Sequence, residues 1–106
     1  MEQLSDFNSQ NSDESLKRIS VFEACMEHKP VARSQAKRIL SQCESFKEVI
    51  LDFEKVQYMS QGFSDEMFRV FPNAQPYIKL TPVNMNTEVR NMYLYAIHTK
   101  VEAPKF

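Results

Sequence analysis

The sequence predicts a small α/β sandwich in which a sheet of about four strands is packed by three helices. Three observations predict it. Glu48-Val49-Ile50-Leu51-Asp52-Phe53 is a continuous apolar run closed by a carboxylate, the pattern of a central strand covered on both faces. Three other segments repeat apolar residues at helical spacing. Strand and helix signals alternate along the chain, and a parallel crossover of a dozen or more residues usually contains a helix.

Residues 1–17 mix Ser, Asn and Gln with Glu2, Asp6, Asp13 and Glu14, and hold only Leu4, Phe7 and Leu16 as large apolar side chains. Too little surface can be buried there to offset the ordering entropy, so a mobile tail, or an edge strand at most, is expected. Ile19–Cys25 is a strand-length run of β-branched and aromatic residues, and Lys29-Pro30 before Val31-Ala32 suggests a hairpin. From Ser34 the period changes. Ala36, Ile39, Leu40 and Cys43 stand at i, i+3, i+4 and i+7, giving a helix over about 34–44 with Ser34 as its N-cap.

After the central strand, at about 48–53, a helix over about 62–71 carries Phe63, Met67, Val70 and Phe71 on one face and Asp65 four residues before Arg69 on the other. Pro72 is expected to end it. Tyr77–Thr81 alternates as a half-buried strand stopped by Pro82. Asn86 can cap the last helix, over about 86–97, whose stripe is Val89, Met92, Tyr93, Ala96 and Ile97. Residues 18–98 therefore form one domain, and 99–106 a loose end.

Composition narrows the function. Thirteen Lys and Arg against 14 Asp and Glu leave a net charge of −1 over 106 residues, so nucleic acid is not the expected partner. No stretch approaches the roughly 20 apolar residues of a membrane span, and the N-terminus has neither a basic start nor an apolar signal core, so a cytoplasmic location is expected. Gly62 is the only glycine, which excludes glycine-rich phosphate loops. Cys25 and Cys43, with no His28 or His98 at paired spacing, read as free buried thiols rather than a zinc site. No cofactor or metal is expected.

Other chemistry is weaker. Ser34-Gln35-Ala36-Lys37 matches the S-x-x-K string of serine acylases but lacks its supporting elements. Asp52, Asp65 and Glu66 could converge at the C-terminal end of the central strand and hold Mg²⁺ or a nucleotide, the basis of an enzymatic alternative. Each also has a structural role available, Asp52 in a turn and the others at a helix start. Lys29, Arg33, Lys37 and Arg38 make the only basic concentration, and of these Arg33, Lys37 and Arg38 form a secondary candidate contact surface. Met59, Met67, Met85 and Met92 can line a groove or fill a core.

The run V-I-L-D-F-E-K-V-Q-Y-M-S-Q-G-F-S-D-E-M-F-R at Val49–Arg69 resembles the strand-turn-helix signature of STAS domains, closest to a small, poorly characterised STAS-like family with the form LDF–V–QGFADE–FRVF. Arg33–Leu40 and Val83-Asn84-Met85-Asn86 are similar to flanking pieces of that family, so the resemblance spans about residues 30–97. It implies a sheet flanked by helices that works as a regulatory protein-interaction module, not an enzyme. Some STAS domains are switched by phosphorylation of a serine in Asp-x-Ser-Gly, whereas this chain reads Met59-Ser60-Gln61-Gly62 and lacks that serine. Ser60 and Ser64 are the nearest candidate phosphoacceptors, and serine at a helix start is commonly a cap.

The resulting expectation is partner docking through the turn and helix start, by Ser60, Gln61, Gly62, Ser64, Asp65, Glu66 and Arg69. The resemblance suggests a kinase-like ATPase or an anti-sigma-type factor as partner. A phage or mobile-element inhibitor that blocks a host complex is an alternative in the same class. Exposed sheet edges allow a homodimer. Gly62 is expected to adopt a positive φ or to permit a close helix–strand approach.

Overall fold

The computed structural model describes residues 15–102. The tail expected at 1–17 lies outside the described residues up to position 14, as does the chain end from 103. Strand β1 (Leu16–Ser20) leads into a single helical turn α1 (Val21–Ala24) and a 3₁₀ turn at Met26–His28. Helix α2 (Arg33–Ser41) precedes strand β2 (Glu48–Asp52). Helix α3 (Gln61–Asp65) runs on through a π turn (Glu66–Val70) into α4 (Phe71–Ala74). Strand β3 (Lys79–Val83) and helix α5 (Thr87–Glu102) complete the order.

The sheet has three strands among the described residues, in the order β1-β2-β3 and parallel throughout, with Ile19 opposite Leu51 and Val49 opposite Leu80. The α/β class and central strand are as expected; a fourth strand is not seen. Ile19–Cys25 is not a single strand, because Ser20 caps α1 by accepting a hydrogen bond from the Glu23 amide at 3.1 Å. Val31-Ala32 forms no hairpin: β1 pairs only with β2 among the described strands.

Only one face of β2 is fully buried. Val49 and Leu51 share a core with Ala36, Ile39 and Leu40 of α2, Phe63 and Met67, and Val89 and Ala96 of α5. On the opposite face Arg18 pairs with Asp52, and Thr81 donates to Glu48 at 3.2 Å. The expectation of helices on both faces is thus corrected: the continuous apolar run includes Ile50, which remains half-buried on the polar side.

Several boundaries moved for local reasons. Helix α2 starts at Arg33, and its cap is the Gln35 side chain, whose Oε1 accepts from the Val31 and Ala32 amides at 2.7 and 2.8 Å; Ser34 is exposed. Pro72 does not end the second helix. The Phe71 amide donates to the Glu66 carbonyl in the π turn, so regular winding restarts at Phe71 with Pro72 in a first turn, where its missing donor costs nothing. The wider turn also places Phe68, rather than Val70, among the buried residues, edge-on to Tyr93 at 4.8 Å.

Strand β3 continues through Pro82. Lys79 donates to Lys47 and Val83 accepts from Phe53, so alternate residues 79, 81 and 83 face β2 and the proline nitrogen falls on the open edge. Tyr77, expected in the strand, stands 92 % exposed before it. Asn86 caps α5 as expected, accepting from the Val89 amide at 2.8 Å, and the helix continues to Glu102 beyond its expected end.

Gly62 has no positive φ. Among the described residues the left-handed positions fall instead on Glu27, His28, Lys55 and Asn84. A Cβ added at Gly62 would meet only the Arg33 side chain, at 3.5 and 3.9 Å, which is ordinary contact. Gly62→Ala is therefore expected to preserve the fold and to stabilise it by about 0.5–1 kcal/mol through higher helix propensity. A thermal or denaturant midpoint below wild type would show that this position needs glycine.

Candidate functional site

The segment between β2 and α3 is pinned from beneath. Phe53, Val56 and Met59 are buried, and the Asn86 side-chain amide donates to the Val56 and Gln57 carbonyls at 3.3 and 2.9 Å. Ser60 then caps α3: its Oγ accepts from the Phe63 amide at 3.1 Å and donates to the Val31 carbonyl at 2.8 Å. These ties hold the start of α3 beside the first turns of α5. Between them lies a cleft of about 470 Å³, lined by Tyr58, Gln61, Glu88, Asn91, Met92 and Tyr95, with Met59 also against it.

The expected docking residues divide into three groups. Gln61 is exposed and lines the cleft. Ser64 is 1 % exposed, and its hydroxyl donates to the Met92 carbonyl at 3.0 Å, so it belongs to the α3–α5 contact and offers no surface. Glu66 is buried at 8 % exposure, which removes it from an open docking face as well. Side-chain orientation, not sequence position, separates these neighbours.

Asp65, Glu66 and Arg69 form a charge network with Arg33 of α2. Arg33 reaches Asp65 at 2.8 Å and Glu66 at 3.3 Å, while Arg69 holds Asp65 with two donors, through Nε and, at 2.8 Å, through Nη2. Two cations and two anions neutralise one another here. Arg33 is therefore not a free member of the basic surface; Lys37 and Arg38 are exposed beside it. Lys29 is also exposed, in the segment before α2.

Asp52 sits apart at the C-terminal end of β2, bound by Arg18 and Asn84 and by the Glu54 amide, each at 3.0 Å. Its partners and those of the Asp65–Glu66 pair do not overlap. No group of three or more His, Cys, Asp or Glu able to hold a metal occurs among the described residues. The convergence of Asp52, Asp65 and Glu66 is thus corrected: the first serves the sheet end, the others tie α2 to the second helix.

Hydrogen bonds from Arg69 hold the Asp65 carboxyl below its ordinary range, with Arg33 adding to the effect against the opposing influence of burial. Asp52 is also lowered, first by Asn84 and then by the Glu54 amide. A carboxyl lowered on folding contributes fully above its unfolded pKa of about 4, and that contribution disappears as pH falls through the folded value. Stability should accordingly decline below about pH 4, and Asp65→Asn should flatten the decline in a pH series of denaturant midpoints. An identical acid limb in this variant would contradict the network.

Cys25 and Cys43 are free and buried, and burial pushes the Cys25 thiol up to about 11, so it is not a nucleophile at neutral pH. No helix among the described residues is long and apolar enough to cross a membrane.

Tyr58, Glu88, Asn91 and Tyr95 escaped the sequence reading. On α5, Glu88, Asn91, Met92 and Tyr95 stand at i, i+3, i+4 and i+7, a second stripe beside the core stripe, and that periodicity was the available signal. Beyond this chain, the family model of a STAS-like domain of unknown function matches residues 35–90, just over half of the chain. No curated protein and no solved structure matches it.

Proposed function

Because this chain belongs to the family of STAS-like domains of unknown function, we propose that it is a non-enzymatic regulatory module that docks a partner protein at the turn and helix start after its central strand. The observation that carries this reading is the cleft between that turn and α5, where Tyr58 and Tyr95 are 45 % and 54 % exposed. Aromatic side chains at the rim of a pocket are favourable anchors, since they bring large contact area with few rotatable bonds. Ser60 and Asn86 hold the two walls in place, so little ordering is left for the binding step. The docking residues of this proposal are Tyr58, Gln61, Glu88 and Tyr95.

The partner classes suggested by the resemblance, a kinase-like ATPase and an anti-sigma-type factor, are the first to test. A photo-crosslinking residue placed at Tyr95 should capture the partner, whereas one at Tyr77, 92 % exposed and outside the cleft, should not. With the captured protein purified, Tyr58→Ser should weaken binding about tenfold or more, as expected for an aromatic anchor. Equal capture from both positions, or unchanged affinity of the Tyr58 variant, would refute docking at this cleft.

A further inference from the structure

We infer that the cleft is selective for a basic side chain of the partner, with arginine the best fit; this rests on the docking reading above. Among the described residues Glu88 is the one acidic residue lining the cleft, and no described Lys, Arg or His lines it. Its carboxylate is exposed and makes no hydrogen bond or ion pair with any described residue. Asp52, Asp65 and Glu66 are in the opposite condition, each already matched by an arginine. The cleft therefore offers an uncompensated negative charge where the neighbouring acidic sites offer none.

The rest of the lining suits the same occupant. Tyr58 and Tyr95 supply aromatic rings, whose faces attract a cation, and a planar guanidinium can stack as well as pair. Gln61 and Asn91 add amide oxygens able to accept the remaining donors of the fork. Met92 and Met59 give an apolar bed for the methylene stem. A carboxylate in the first turn of a helix is also favoured by the helix dipole, but that accounts for neither the tyrosines nor the cleft around it.

Two acetylated, amidated pentapeptides test this directly: Gly-Gly-Arg-Gly-Gly and its citrulline counterpart, which keeps the shape and removes the charge. Titrated into the ¹⁵N-labelled full chain, the arginine peptide should give saturable shifts at the amides of Gln61, Glu88, Asn91 and Tyr95. The citrulline peptide should bind about fivefold more weakly, and Glu88→Gln should weaken the arginine peptide by a similar factor while Glu44→Gln leaves it unchanged. Equal binding of the two peptides, no saturable shift, or shifts centred on Asp65 would overturn the inference. If crosslinking at Tyr95 still captures the partner in that event, the docking reading stands without it; if capture also fails, both fall.

Discussion

Ser64→Asp is expected to unfold the protein rather than switch it. The hydroxyl lies at 1 % exposure in the contact between α3 and α5 and spends its proton on the Met92 carbonyl. A carboxylate there would be stripped of water, left without a cation, and set against a carbonyl oxygen. Burying an unpaired charge costs several kcal/mol, comparable with the total stability of about 5–15 kcal/mol available to a domain of this kind. Urea titration should show the cooperative transition lost or moved far below wild type. Ser60→Asn is the control, because asparagine is a competent N-cap at a partly exposed position and keeps a donor for the Val31 carbonyl, so it should cost no more than about 1 kcal/mol. A Ser64→Asp protein as stable as wild type would mean that the helix contact is not formed as described.

Phe63→Ala should be the most damaging simple truncation of the core. The ring is fully buried among residues of the sheet and helix layers, and its removal leaves a cavity that the fixed ends of α3 and α5 cannot easily close. Such changes cost about 3–5 kcal/mol. The unfolding free energy should fall by that amount, read as a lower denaturant midpoint with the slope of the transition unchanged. Tyr77→Ala removes as large a side chain from a 92 % exposed position and should stay within about 0.5 kcal/mol. Similar losses at both sites would argue against the packing.

The helices and the central strand were legible because their signals are periodic and local. Asn86 and Ser60 were legible as caps for the same reason: the capping oxygen of each accepts from the amide three residues on. Elsewhere the deciding interaction lay further along the chain or in competition with propensity. Ile19–Cys25 reads as strand by composition, yet only Ile19 and Ser20 lie in β1 before the Ser20 cap turns the chain into helix. Pro72 reads as a terminator unless the π turn before it is known.

The site was partly legible. Gln61 and the turn around it were found, but the burial of Ser64 and Glu66 depends on how α5 and α2 lie across α3, which no one-dimensional pattern records. The separation of Asp52 from Asp65 is of the same kind. Arg33 shows the limit most directly: in sequence it begins a basic run, and in space it belongs to two carboxylates 32 and 33 residues away.

Chain order and spatial order coincide in the β1-β2-β3 sheet. A polypeptide emerging from the ribosome therefore meets each required neighbour already synthesised, and no described strand must wait for a later one to be inserted between it and its predecessor. Vectorial synthesis can lay this sheet down one ribbon at a time, which shortens the interval during which an unsatisfied edge is open to misassembly.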